Sequence, residues 1–216
     1  MSDLGDTASA FGQISLSLLQ GRFICEHTAP AEFLFLSDET NFMAVHLYLS
    51  RMGIGLRRSA DGEVVYAAHQ DADSQDRRTA IRQQFRETIN YIEPLVGWLG
   101  LVMACQHSST TISPGDVIKE GGLLSSIECA PALVDELARL SSMSYFKVRT
   151  PSTKAQLSKM LEMLCEHGYL TAEQAKGSVY VATGKWSYFY EVMAFIAEHE
   201  HIDVAPEAAT QQELLQ

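Results

Sequence analysis

Two tripeptides in this 216-residue chain share the same letters, Cys25-Glu26-His27 and Cys165-Glu166-His167. Thiolate, carboxylate and imidazole are all zinc ligands, so the pair is the first candidate for chemistry. Ordered zinc sites, however, take paired ligands at loop spacing. Adjacent residues on a helix or strand diverge, so one such tripeptide cannot direct both Cys and His at a single ion. His199-Glu200-His201 stands at a helix end near the C-terminus and reads as a solvated terminus. The chain has no Gly-x-x-x-x-Gly-Lys-Ser/Thr, no Gly-x-Ser-x-Gly and no His-Glu-x-x-His. The expectation is a protein without catalytic residues, metal or cofactor, whose work is binding.

The binding chemistry on offer is basic. Six of the 16 Lys and Arg residues lie between 147 and 185: Lys147, Arg149, Lys154, Lys159, Lys176 and Lys185. Only Glu162, Glu166 and Glu173 oppose them, so the segment is +3 inside an acidic chain. Thr150, Ser152, Thr153 and Lys154 surround a predicted helix start, where free N–H groups and the helix dipole favour phosphate. Lys147, Arg149, Thr150, Thr153, Lys154, Lys159, Lys176 and Lys185 are therefore the candidate DNA-contacting residues. At about 100° per residue, Glu162 and Glu166 share the solvent face of Ser158 and Lys159. Contact should then fall at the helix N-terminus and the following hairpin, through phosphates rather than base edges. The plain alternative is a solvated basic face. A second stripe, Arg77, Arg78, Arg82 and Arg86, follows Asp71, Asp73 and Asp76 and reads first as a local ion-pair network, with contact to an acidic partner or DNA as the alternative.

A different chemistry marks residues 40–50, which contain no Asp, Glu, Lys or Arg. Phe42, Val45, Leu49 and Met52 form one helical face, and Met43, Leu47 and Tyr48 point elsewhere. A helix apolar nearly all round is either buried on several sides or part of a protein interface. The small unit around it has little core to offer two faces, which favours Met43, Leu47 and Tyr48 as an interface.

The elements that position these residues follow from periodicity and breakers. Helices are predicted over 11–20, 38–52, 77–107, 130–141, 150–167 and 185–199, with 31–36 either helix or extended turn. Pro94 is expected to kink or split the long helix. Ser113-Pro114-Gly115-Asp116 reads as a helix start, with Gly121-Gly122 ending that short helix, and Tyr145, Lys147 and Arg149 are spaced as a short strand. Gly53 follows a helix and is followed by strands at 54–58 and 64–66 around a turn at 59–62. Gly168 likewise follows a helix, with strands at 169–170 and 179–181 around Lys176-Gly177. In both places the hairpin glycine comes nine residues after the helix-ending one. Helix, Gly, strand, turn, strand is the closing half of a winged-helix unit. Its repetition predicts a mainly α chain with short β-hairpins, a tandem winged-helix. The expected division is a disordered N-terminus (1–10), an N-terminal winged-helix domain (11–70), a linker (71–76), a C-terminal winged-helix domain (77–198) and an acidic flexible tail (199–216).

Composition narrows the function classes further. The net charge is −11, but Asp3, Asp6, Glu198, Glu200, Asp203, Glu207 and Glu213 lie at the ends. Setting these seven aside leaves 20 acidic against 16 basic residues, or −4 for the body. That excludes a general nucleic-acid coat protein and permits a local anion-binding patch. Cys25, Cys105, Cys129 and Cys165 are scattered singly and read as buried small hydrophobes in a reducing compartment. No basic and apolar leader opens the sequence, and the longest apolar run, 95–105, falls well short of the ~20 residues of a membrane span. A cytoplasmic protein with no membrane contact is expected.

The segment Leu18-Leu19-Gln20-Gly21-Arg22, the long apolar helix, the Gly-preceded hairpin with Asp61-Gly62, the long central helix and the second such hairpin resemble the MukE/MksE-type subunits of bacterial condensins over roughly 11–196. The resemblance implies a non-enzymatic homodimer. It would bind a kleisin of the MukF/MksF kind and, through it, an SMC ATPase of the MukB/MksB kind. The complex would engage DNA at the nucleoid, in chromosome organisation or plasmid defence. One departure is plain: the helix before the second glycine is Arg-rich in MukE, whereas here it reads Lys159-Met160-Leu161-Glu162-Met163-Leu164-Cys165-Glu166. The rival reading is a winged-helix transcriptional regulator that binds DNA directly.

Overall fold

A computed structural model describes residues 3–70, 75–173 and 178–199, and their side chains apart from those of 3–9, 75–89 and 199. The first half comprises α1 (Asp3–Leu19), α2 (Pro30–Ser37), α3 (Glu39–Ser50) and a hairpin of β1 (Ile54–Arg58) and β2 (Val65–His69). α1 begins at Asp3, earlier than the helical spacing from residue 11 indicates. Pro30 opens α2, where its missing N–H has no helical partner to lose. The Asp38 carboxylate accepts from the Asn41 amide at 3.1 Å and caps α3. Gly53, at φ 72°, lets the chain leave α3 for β1. Ile54 pairs with His69 and Arg58 with Val65 across the hairpin. Ile24 bridges Val65 on the other edge of β2, so a third, one-residue edge completes this sheet.

The second half runs α4 (Gln75–Gln106), β3 (Val117–Lys119), α5 (Glu120–Glu128), α6 (Pro131–Ser142), α7 (Thr153–Glu166), β4 (Leu170–Ala172), β5 (Val179–Ala182) and α8 (Lys185–His199). α4 continues through Pro94 as one helix and does not split there. The three strands lie in the order β3-β5-β4, all antiparallel. Both sheets thus place the segment that follows the first helix on one edge and the hairpin on the other.

Two expected elements are replaced. Residues 113–116 form a turn, not a helix start. The Asp116 amide reaches Ser113 O at 3.0 Å, its carboxylate accepts from the Ser113 amide at 2.7 Å, and Gly115 sits at φ 88°. Pro at the second position and Gly with positive φ at the third is the pattern of a type II turn. The chain leaves it as β3, and Gly121 and Gly122 lie inside α5 instead of ending a helix. No strand forms at 145–149 either. Tyr145 and Phe146 are both buried, which alternation forbids, and Lys147 at φ 51° turns the chain back so that its amide bonds Met143 O at 2.8 Å.

Each half has its own core. Ile14, Leu18, Ile24, Leu36, Val45, Leu49, Leu56 and Val65 make up the first. The second is three times larger, with 24 buried residues that include Trp98, Ile127, Leu140, Trp186 and all four predicted apolar positions of α7: Leu157, Met160, Leu161 and Leu164. Eight buried residues give α3 only one side to bury, and the consequence appears on its outer face. No helix among the described residues is long and apolar enough to cross a membrane.

Candidate functional site

α3 is held by its inner face. Val45 and Leu49 are fully buried, the Leu56 amide of β1 donates to His46 Nδ1 at 3.2 Å, and Arg58 lies 4.0 Å from the Phe42 ring while pairing with Glu39 at 3.1 Å. Met43, Leu47 and Tyr48 face outward at 42%, 59% and 44% exposure. Burial inside the chain's own core, one of the two readings of this helix, is therefore excluded. Met52, expected on the core face, is also exposed, because the helix ends at Ser50 and the chain has turned away. Leu16 and Leu19 of α1 and Leu34 of α2 are exposed as well. α1 is joined to α3 through an edge-to-face contact of Phe11 with Tyr48, ring centres 5.5 Å apart. Helical spacing alone does not mark these leucines as exposed, because a helix-wide pattern does not say how much partner surface the fold supplies.

The basic surface is built around the start of α7. Ser152 caps the helix, accepting from the Ala155 amide at 3.4 Å, and Gln156 Nε2 ties down Thr150 O at 2.7 Å. No acidic residue occupies the first turn of α7. Lys147, Arg149 and Lys154 are exposed, and none of them forms an ion pair with a described residue. Thr150 and Thr153 are half-buried beside them. Lys159 differs: its ammonium pairs with Glu162 at 2.5 Å, which raises its pKa, and Glu162 and Glu166 are both exposed. A further acid joins from a distance, since Ser158 of α7 donates to the Glu120 carboxylate of α5. A count of charges along the segment 147–185 could not include it.

Lys185 stands apart from that surface. Its Nζ donates to His167 O at 2.6 Å, closing the end of α7, and lies 4.9 Å from the Phe23 ring and 4.8 Å from the Tyr169 ring. Burial lowers its pKa to about 8. It is a joint between the halves, with its charge engaged. Lys176, the acidic tail beyond 199, the His199-Glu200-His201 tripeptide apart from the backbone of His199, and linker residues 71–74 lie outside the described residues, as do the side chains of Arg77, Arg78, Arg82 and Arg86.

The two Cys-Glu-His tripeptides go to different uses. Cys25 is buried against the second half, its Sγ accepting from the Gly184 amide at 3.3 Å. Cys165 is half-buried on α7, its thiol pushed up to about 11 by burial and by Glu162 and Glu166. The His167 ring lies 4.9 Å from the Tyr145 ring, tilted by 31°, and burial, then Lys185, lowers its pKa. Cys105 is buried as expected, but Cys129 is exposed just beyond α5. Among the described residues no three His, Cys, Asp or Glu side chains are grouped to hold a metal ion.

The fold and its surfaces thus define a helical chain with two small sheets, apolar on the outside of one half and basic at one end of the other. The family model described as condensin complex protein MksE matches residues 9–193, most of the chain. The chain belongs to the MksE family and is a subunit of a condensin-like complex, whose MksE component is non-catalytic. A comparison with curated proteins finds no match.

Proposed function

We propose that this chain is the kleisin-binding subunit of an MksE-type condensin and carries DNA phosphates at the basic end of its second half. The observation that carries the reading is the family match over 9–193. Two structural features support it. In each half a helix, an edge segment (a one-residue bridge at Ile24 in the first, β3 in the second), further helices and a hairpin follow in the same order, with the edge segment and the hairpin's first strand flanking its second strand. That is the order of a winged helix, so 11–70 and 77–198 are read as tandem winged-helix domains. The exposed face of Met43, Leu47 and Tyr48 is the protein-facing surface, used by a second copy of the chain or by the kleisin, through which the SMC ATPase is reached.

Lys147, Arg149 and Lys154, with Thr150 and Thr153, are the proposed phosphate contacts, and Lys176 of the second hairpin is assigned with them. Exposed Glu162 and Glu166 keep the middle of α7 out of a DNA groove, which favours backbone contact within a complex over sequence reading by an isolated regulator. The role follows as nucleoid-associated DNA organisation or plasmid defence. The test is reconstitution. The purified chain should form a dimer that binds the kleisin, and the assembled complex should hold DNA with steep salt dependence. A monomer without kleisin affinity would overturn the reading.

A further inference from the structure

The two cores do not merge. Cys25 and Val64 are buried, yet belong to neither of them. Both lie where the tip of the β1–β2 hairpin meets the start of α8. The contact turns on Gly184. A Cβ there would stand 2.6 Å from Glu63 O, 2.8 Å from Val64 Cβ and 2.9 Å from Cys25 Cβ, so only glycine lets the halves approach this closely. The Gly184 amide donates to Cys25 Sγ, and the Ala60 amide at the hairpin tip donates to the Glu191 carboxylate of α8. Phe23, Tyr66 and Tyr188 pack together across the same boundary, with ring centres 4.9 to 5.6 Å apart. The chain passes from one half to the other once, between β2 and α4.

We propose that the hairpin tip, residues 59–64, and residues 184–191 form a releasable latch that fixes one orientation of the two halves. The seam is built for opening rather than permanence. Its contacts are a few hydrogen bonds, one aromatic cluster and the Lys185 ammonium against Phe23, the kind of small boundary at which domains of one chain move. Asp61 at the tip is held by Ser59 Oγ and by the Glu63 amide within the hairpin, and it meets the Ser187 hydroxyl across the seam. Latched, the Ala60 amide is engaged by Glu191 and Ser59 and Val64 are buried, while residues 60–63 keep an exposed outer surface. Released, the α3 face can turn relative to the start of α7. The latch stands independently of what those two surfaces bind.

Cys25 reports the seam, because it is buried there while Cys105 is buried in the second core. The test uses the full chain, its Gly184→Val variant and its Glu191→Ala variant. Each is alkylated with N-ethylmaleimide at neutral pH, and every cysteine is quantified by mass spectrometry. A latch predicts that the Cys25 rate rises at least tenfold in one or both variants while Cys105 stays as protected as in the parent. The proposal is overturned if the Cys25 rise stays below tenfold in both variants. It is equally overturned if Cys25 and Cys105 become reactive together, since the halves would then open only by unfolding as one.

Discussion

Lys147, Arg149 and Lys154 offer the sharpest quantitative test of the proposed DNA surface. All three are exposed and unpaired among the described residues, so each is free to neutralise one phosphate. Each such contact contributes about −0.9 to the slope of log affinity against log salt. Replacing the three with Gln should therefore reduce the magnitude of the slope by about 2.7 per protomer. Over a fourfold rise in salt, such as 50 to 200 mM, that is about 40-fold less loss of affinity. The assay is fluorescence anisotropy of labelled duplex DNA against the assembled complex at several salt concentrations. Lys159→Gln is the matched control. Its charge is already engaged by Glu162 at 2.5 Å, so its slope should stay close to that of the parent. Exposed substitutions of this kind alter folding stability by no more than about 0.5 kcal/mol, so a lost slope is not lost fold. A triple variant with the parent's slope would refute the assignment, and so would a Lys159→Gln effect as large as one third of the triple.

Further outcomes follow from the same structure. Leu47→Glu should abolish dimer or kleisin binding in size-exclusion and pull-down assays while the Tm stays near the parent's, because Leu47 is exposed in the isolated chain; retained binding to both would remove α3 from the interface. Leu161→Ala should cost about 2–5 kcal/mol in urea unfolding, the range for deleting a fully buried leucine side chain; a loss under 1 kcal/mol would mean the site collapses around the gap. Lys185 has a folded pKa of about 8, below its ordinary 10.5, so between these values the unfolded chain binds more protons than the folded one. Stability should therefore rise with pH from about 8 toward 10, above which buried tyrosines such as Tyr66, raised to about 12, reverse the trend. Lys185→Met should flatten that rise, and an unchanged pH profile would show that Lys185 is solvated.

How much could be read beforehand depended on the range of the interaction. α3 and α7 were legible because capping residues, apolar spacing and a following glycine all act within a few residues. The two hairpins were legible for the same reason. β3 was not. It is three residues long and exists because β5 lies beside it, some sixty residues onward, and its approach through Ser113-Pro114-Gly115-Asp116 carries the same letters as a helix start. The strand expected at Tyr145, Lys147 and Arg149 failed because alternate spacing alone cannot reveal that Phe146 is buried too.

The site divided along the same line. That the outer residues of α3 differ from its core face follows from the wheel; that they are exposed follows only from the size of the first core. Lys154 and Lys185 look alike in a list of bases, and only the fold separates a free cation from one set against Phe23, Tyr169 and a helix-end carbonyl. Gly184 gave no local signal at all. Its meaning comes from three atoms of residues 25, 63 and 64.

The central claim is membership of a working condensin through kleisin binding. Its most direct test is purification of the tagged full chain from its native cell under native conditions, with mass spectrometry and mass determination of the recovered assembly. The expected recovery is a kleisin and a large coiled-coil ATPase in fixed proportion to the chain, with the kleisin lost from the Leu47→Glu variant. Recovery of the chain alone as a monomer, with selective binding to one DNA sequence, would contradict it.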